Sequence, residues 1–253
     1  GDLIHNPQVI AELEAQDIHP VENIDRIEKG AVIIRSHGVS PSVYEALGEK
    51  DVEIIDATCP IVKKIQELVA RLAVEEDEIV IVGNREHPET RGLIGYAANK
   101  GIVIENEQGA HNLPRKASRA VLAQSTQDLF MFTRVVAALI EKTEELKVHN
   151  TICRSTQTRQ KSTSRLAARV DTLFIIGGKN SSNTQKLYEI SRKILANTHF
   201  IESAAQITPE MIQGAKSIGL SGGASTPPEA LQAAVERIQT CIQTHSLREK
   251  RIQ

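Results

Sequence analysis

The chain has 253 residues, of which 40% are apolar and 25% charged, enough for one large or two to three small globular domains with an adequate core. Its 30 basic residues against 32 acidic ones leave a net charge of −2, so no overall positive field exists to hold a phosphate backbone, and sequence-independent nucleic-acid binding is disfavoured. The longest apolar runs, such as Thr172–Ile176 and Ile79–Val82, are strand-sized and far below the roughly 20 residues of a membrane span; no signal peptide is visible.

Short apolar runs alternate with helical patterns along nearly the whole chain. Val9, Ile10 and Leu13 open the series with helical spacing. Strands rich in Ile and Val are predicted at Ala31–Arg35, Glu53–Asp56, Glu78–Gly83, Ile102–Glu105, Ala120–Ala123, Thr172–Gly177, His199–Glu202 and Ser217–Ser221. Between them lie amphipathic stripes: Ile61, Val62, Ile65, Leu68, Val69 and Leu72; Leu129, Phe130, Val135, Val136, Leu139 and Ile140; Leu187, Ile190, Ile194 and Leu195; and Leu231, Val235, Ile238 and Ile242. Such alternation argues for parallel α/β sheets flanked by helices. The stretch from Arg154 to Ser164 is polar and basic without an apolar stripe, and reads as the exposed first part of a helix or as a linker.

The chemistry is concentrated in strand-to-helix turns. Six of them carry small, hydroxyl or amide residues before a helix opener: His37-Gly38-Val39-Ser40-Pro41, Ala57-Thr58-Cys59-Pro60, Glu86-His87-Pro88-Glu89, Ala123-Gln124-Ser125-Thr126, Gly177-Gly178 through Asn183, and Ser221-Gly222-Gly223 through Pro227. Pro suits the first helical position because its missing N–H has no partner there anyway. Free backbone N–H groups and the positive end of the helix dipole make such turns natural anion sites. In parallel α/β folds ligands gather at the carboxyl ends of strands, so the six turns together predict a phosphorylated ligand.

Three cysteines stand out in this composition. Cys59 falls at a helix N-cap, where the dipole favours thiolate; packing as a small hydrophobe is the competing role. Cys153 lies at a second junction between elements. Cys241 shares an apolar stripe with Leu231, Val235 and Ile238, so packing is its expected role. The wide separation of Cys59 and Cys153 excludes a compact zinc finger or ribbon. His5, His37 and His87 each flank a turn, as imidazolium donors to a diphosphate or as zinc ligands. Glu89 would occupy a first helical turn, either as a carboxylate favoured by the dipole or as a proton donor. Ser181-Ser182-Asn183 has the composition of a phosphate cradle, yet the glycine spacing and the position of Lys179 are not those of a Walker loop.

Taken together, Leu3-Ile4-His5-Asn6, Ser36-His37-Gly38-Val39, Asp56-Ala57-Thr58-Cys59-Pro60, His87-Pro88-Glu89, Gln124-Ser125-Thr126, Cys153 with Thr156 to Arg159-Gln160, Lys179 to Asn183 and Gly223 to Pro227 resemble the 4-hydroxy-3-methylbut-2-enyl diphosphate reductase family, in family order to about residue 240. The resemblance implies three small α/β domains around a central cluster and substrate site, at residues 1–59, 60–152 and 153–245, with a tail at 246–253. It implies a 4Fe-4S cluster held by three cysteines, with Cys59 and Cys153 as the second and third ligands. It assigns His5, His37, His87, Ser125, Ser181, Ser182, Asn183 and Ser225 to an allylic diphosphate, and Glu89 to proton donation. A ferredoxin or flavodoxin would supply electrons, neither nucleic acid nor membrane is an expected partner, and a cytoplasmic location is expected.

Two departures follow from the same comparison. Ser125 stands where the family commonly has Thr, which keeps the hydroxyl and drops a methyl. The family's first cluster cysteine belongs to a Gly-Phe-Cys-type segment ahead of the His5 match, which is not among these 253 residues. The expectation is a fragment lacking its first ligand, consistent with a start at Gly1, and one that by itself holds a cluster weakly or not at all. Two other readings compete: a redox-inert phosphate-binding α/β protein, and a zinc-dependent hydrolase.

Overall fold

Parallel pairing follows from the alternation of strands and helices, and every strand pair in the computed structural model is parallel. Residues 1–252 are described, with side chains through residue 243. The strands form three sheets: β1 (Lys29–Ile34) with β2 (Asp51–Asp56); β3 (Ile79–Val82), β4 (Gly101–Ile104), β5 (Lys116–Ala123) and β6 (Thr143–His149) in the order β4-β3-β5-β6; and β7 (Thr172–Ile176), β8 (Thr198–Ile201) and β9 (Ile218–Gly222) in the order β8-β7-β9. The chain falls into two compact units, one of Gly1–Ile4 and Val9–Arg154, the other of His5–Gln8 and the residues from Ser155 onward.

α1 (Pro7–Glu14) starts in the His5–Gln8 segment of the second unit and runs on in the first, where α2 (Pro41–Gly48) links β1 to β2. The four-stranded sheet is covered on both faces, as continuous apolar strands require. Ile79, Ile81, Ala120 and Leu122 pack on α3 (Pro60–Glu75) and α4 (Pro88–Tyr96) through Ile65, Val69, Leu72 and Leu93. Val80, Val82, Val121 and Ala123 face α5 (Glu107–His111) and α6 (Leu129–Ile140) through Ala110, Phe132, Val135 and Leu139. At the amino ends of these strands the fully buried Arg119 donates to Glu78 at 2.5 Å and to the carbonyls of Lys142 and Pro114, so its charge is paired and its donors are used.

In the second unit, Leu173 and Ile175 pack on α7 (Arg154–Ala167) and α8 (Ser182–Ile194), while Phe174 and Ile176 face α9 (Pro209–Ile212) and α10 (Pro228–Ile252). The Arg154–Ser164 stretch is therefore helix and not linker. Its buried positions Thr156, Gln160, Thr163 and Ala167 recur at helical spacing but are small or polar, which is why no apolar stripe reveals them. β6 has no counterpart among the predicted strands: it is an edge strand whose residues are all at least partly exposed, so it shows no buried apolar run. α10 continues through the 246–253 stretch to Ile252; the side chains there and Gln253 lie outside the described residues.

Candidate active site

Parallel strands bring their carboxyl ends to one side of their sheet, and in the first unit six of the expected site residues follow such ends: His37 after β1, Cys59 after β2, His87 and Glu89 after β3, Ser125 after β5 and Cys153 after β6. His87 caps α4: its Nδ1 accepts the Glu89 backbone N–H at 3.2 Å, which leaves Nε2 to carry the ring proton. His37, in the turn after β1, meets His87 edge to face with ring centroids 5.2 Å apart. Gly38 makes that turn, with φ of +68° and no space for a Cβ, which would collide with the Gln66 amide.

Glu89 lies in the first turn of α4 and is only 2% exposed. Its Oε1 accepts the Ser125 backbone N–H and its Oε2 the Ser125 hydroxyl, both at 2.6 Å. Burial pushes the Glu89 carboxyl above the usual range, against the two hydrogen bonds, which favour the ionised form. The Ser125 carbonyl in turn accepts the Cys153 N–H at 2.9 Å, so Glu89, Ser125 and Cys153 form one connected chain. Next to them Gln124 accepts the Asn84 N–H at 3.0 Å and donates to the Thr126 hydroxyl at 2.9 Å. The turn at 124–126 is not itself a helix N-terminus, as its sequence suggests: Asp128 caps α6, accepting from Phe130 and Met131, so an anionic side chain already occupies that position.

Cys59 is the N-cap of α3, with Pro60 at the first helical position and no side-chain capping bond, as the sequence predicts. Its N–H donates to the Ser36 carbonyl at 2.9 Å. The turn before it is braced by Asp56, whose Oδ1 accepts the Thr58 N–H at 3.0 Å and whose Oδ2 accepts from Lys63 at 2.8 Å. Partial burial would raise the Asp56 carboxyl, but the bonds from Lys63 and Thr58 outweigh it and hold its pKa at about 2. Thr58 is buried, and its hydroxyl has no hydrogen-bond partner among the described residues. Cys59 and Cys153 are in no disulfide and are half-buried, whereas Cys241 is 2% exposed and packs with Phe174 and Ile238, in the role its stripe implies.

The second unit has its own edge, at the carboxyl ends of β7 and β9. Ser181 caps α8, its Oγ accepting the Thr184 N–H at 3.3 Å, and Ser182 follows as the first helical residue. Asn183, 5% exposed, has neither amide atom hydrogen-bonded among the described residues. Such a group costs about 1–3 kcal/mol unless something meets it. Ser225 donates to the His5 carbonyl at 3.2 Å, and Asn6 donates to the Ser225 carbonyl at 2.6 Å. The same His5 carbonyl lies 2.7 Å from where a Cβ on Gly178 would stand, so glycine is required for this approach. Sequence reasoning passed over Asp56, Thr58 as a buried hydroxyl, and Arg159, which donates to the Gly222 carbonyl at 3.0 Å. Only the Asp-Ala-Thr spacing, which suits an Asx turn, carried a signal for the first two.

These features define a parallel α/β protein whose strand ends carry two accessible thiols, a buried carboxyl clamped by a hydroxyl, and a cap with an unsatisfied amide. The chain belongs to the LytB protein family, whose pattern it matches over residues 1–239. It is 42% identical over 239 residues to the 4-hydroxy-3-methylbut-2-enyl diphosphate reductase of Citrifermentans bemidjiense, covering 94% of this chain and 84% of that protein. It is 43% identical over 242 residues to the protein of the same name from Aquifex aeolicus, covering 94% and 84%. A solved structure of (E)-4-hydroxy-3-methyl-but-2-enyl diphosphate reductase, described as the terminal enzyme of the non-mevalonate pathway, is similar with a TM-score of 0.67 and 41% identity, covering 95% of this chain and 86% of the other. The Plasmodium falciparum reductase structure matches with a TM-score of 0.86 and 26% identity, covering 92% and 75%.

Proposed function

We infer that this chain is an oxidoreductase that removes the hydroxyl group of 4-hydroxy-3-methylbut-2-enyl diphosphate, giving isopentenyl and dimethylallyl diphosphates. Family membership supports the reaction, and the connected chain Glu89–Ser125–Cys153 is the observation that carries the reading at the level of residues. Overall, the substrate takes up two electrons and two protons and water leaves. Glu89 is the proton source: burial keeps its carboxyl protonated to higher pH, and its two hydrogen bonds from Ser125 hold it in place. His5, His37, His87, Ser181, Ser182, Asn183 and Ser225 bind the diphosphate, with Asn183 supplying an amide that the unliganded protein leaves unpaired.

Cys59 and Cys153 fit as thiolate ligands, since neither is in a disulfide and both are half-buried at strand-to-helix turns. The remaining cysteine, Cys241, does not fit, because it is enclosed by the core of the second unit. Residues 1–253 therefore offer two of the three thiolates of a 4Fe-4S site. Bound there, such a cluster would supply one-electron transfer and a Lewis-acidic iron. A ferredoxin or flavodoxin is the proposed electron source and the cytoplasm the proposed location; among the described residues no helix is long and apolar enough to cross a membrane.

The test is anaerobic purification from the complete reading frame, with iron, sulfide and zinc analysis, followed by turnover of the diphosphate with reduced methyl viologen. The expected result is an iron- and sulfide-bearing protein that releases both isomers, and a Glu89→Gln variant that keeps its iron while losing about 100-fold to 10,000-fold in turnover. Near-normal turnover by that variant removes Glu89 from the mechanism. A zinc-bearing protein, or one free of metal, overturns the reading in favour of a hydrolase or a redox-inert phosphate binder.

A further inference from the structure

Both half-buried cysteines of the first unit stand third after an Asp or Asn, in Asp56-Ala57-Thr58-Cys59 and Asn150-Thr151-Ile152-Cys153. The likeness extends to the hydrogen bonds. β2 and β6 are edge strands, each with one parallel neighbour, β1 or β5. In each turn the Asp or Asn Oδ1 accepts the backbone N–H two residues on, from Thr58 to Asp56 at 3.0 Å and from Ile152 to Asn150 at 3.3 Å. The residue between is bonded to the end of the neighbouring strand: Ala57 donates its N–H to the Ile34 carbonyl at 3.1 Å, and Thr151 donates its hydroxyl to the Ala123 carbonyl. The cysteine N–H then donates two residues further along that neighbour, from Cys59 to Ser36 and from Cys153 to Ser125, both at 2.9 Å.

A segment that runs past the end of an edge strand has a neighbour on one side only, so a thiol carried on it would sweep many positions unless other bonds held it. Here the Asp or Asn side chain takes an N–H that the sheet leaves over. The residue it holds is buried, with Thr58 8% and Ile152 4% exposed. A helix starts immediately after each cysteine, α3 at Pro60 and α7 at Arg154. Cys241 lies inside α10 with Ile238 three positions before it, and has no such turn. The same construction thus recurs at the two thiols read as ligands and is absent from the one that packs.

We propose that Asp56 and Asn150 are positioning residues, which order the Cys59 and Cys153 turns as ligand arms before any metal arrives. The proposal rests on the reading of both thiols as ligands and adds what holds them. An arm that is already ordered loses less freedom on binding, so the benefit is read as slower loss of metal. Groups that orient metal ligands without touching the metal commonly contribute about 10-fold to 100-fold in affinity. Asp56 also accepts from Lys63 at 2.8 Å, whereas Asn150 is neutral, so what the two turns share is an acceptor oxygen and not a charge. Asp56→Asn and Asn150→Asp keep that oxygen, and Asp56→Ala and Asn150→Ala remove it. Neither residue is buried, so none of these replacements opens a cavity in a core.

The experiment uses the protein expressed from its complete reading frame and purified without oxygen. Release of iron to bathophenanthroline disulfonate is timed in the four variants, and amide hydrogen exchange at Cys59 and Cys153 is followed by NMR after the metal is removed. Expected are iron release about tenfold or more faster in either alanine variant, release like that of the unmodified protein in Asp56→Asn and Asn150→Asp, and faster exchange only at the cysteine of the altered turn. Asn106→Ala is the control for stability: it removes the cap of α5 in the same unit, where Asn106 accepts the Gly109 N–H at 3.1 Å, and should lower the urea midpoint without altering iron release. Unchanged iron release in the alanine variants, equal acceleration in the variants that keep the oxygen, or the same acceleration in Asn106→Ala overturns the proposal. An unmodified protein that carries no iron counts against the reductase reading instead. Faster exchange at Cys153 in Asn150→Ala would then still support the role of the side chain in holding the turn, and unchanged exchange would overturn it.

Discussion

Glu89 and Ser125, 36 positions apart in the sequence, are joined by two hydrogen bonds of 2.6 Å, one to the backbone N–H and one to the hydroxyl of the serine. The pair ties the first turn of α4 to the end of β5. Because Ser125 also accepts from Cys153, the proton-bearing group and the proposed metal ligand are fixed to one short segment.

Removing the hydroxyl with Ser125→Ala takes away a bond that favours the ionised carboxylate, so the Glu89 pKa should move further up. The group then keeps its proton to higher pH, and the limb of the pH–kcat profile that reports its ionisation should shift in the alkaline direction. Ser125→Thr retains the oxygen and should leave that limb in place. A shift of equal size in both variants would show that the hydroxyl is not what positions the proton.

The raised pKa of Glu89 has a second consequence. A carboxyl whose folded-state pKa lies above its unfolded value contributes stability that is fully present below the unfolded value, near 4.3, and is lost as pH rises through the folded one. Asp56 behaves in the opposite way: with a folded pKa of about 2, its contribution is present above about pH 4 and disappears as pH falls toward 2. Asp56→Asn should therefore lower the urea midpoint at pH 7 and leave it nearly unchanged close to pH 2. A difference that persists undiminished at pH 2 would assign the effect to packing.

The thiols should separate by reactivity. In the native protein without metal, Cys59 and Cys153 are half-buried and should be alkylated by iodoacetamide, while Cys241 should react only after unfolding. Peptide mapping by mass spectrometry reads the three sites independently. Burying a hydroxyl in the core through Cys241→Ser should cost about 1–3 kcal/mol without changing iron content, whereas Cys59→Ser and Cys153→Ser should lower iron content.

Asn183 tests the anion site of the second unit. Because neither amide atom is hydrogen-bonded among the described residues, Asn183→Leu should raise the unfolding temperature of the unliganded protein. The same substitution should abolish the rise produced by inorganic pyrophosphate in the unmodified protein. A lower unfolding temperature without pyrophosphate would mean that the amide serves the fold.

Gly38 tests the His37 turn. Gly38→Ala should cost about 1–2 kcal/mol from left-handed backbone alone, and more because its Cβ meets the Gln66 amide. Gly30→Ala, also at positive φ but with nothing within 4 Å of its Cβ, should cost only the backbone part. Thermal unfolding of the two variants gives the difference.

Much of the fold was legible because parallel α/β structure writes itself in local pattern: apolar strands of four to five residues such as β3 and β7, and amphipathic helices such as α3 and α8. Among the elements that escaped, β6 buries no residue fully and α7 buries small or polar ones, so their periodicity carries little hydrophobic contrast. Cys59 could be placed by its own neighbours, since an N-cap followed by Pro60 is a local motif. Ser125 was recognised as a site residue through the resemblance, but the clamp it closes on Glu89 is a contact between distant turns and has no local signature.

Three cysteines, a net charge of −2 and six polar turns were determined by the sequence alone. Tertiary structure decided which of them act together. It enclosed Cys241 in a core and left Cys59 and Cys153 accessible. It joined Glu89 to Ser125 because parallel strands align their carboxyl ends. Composition sums over the whole chain, whereas reactivity and electric field depend on distance and burial, and only packing sets those.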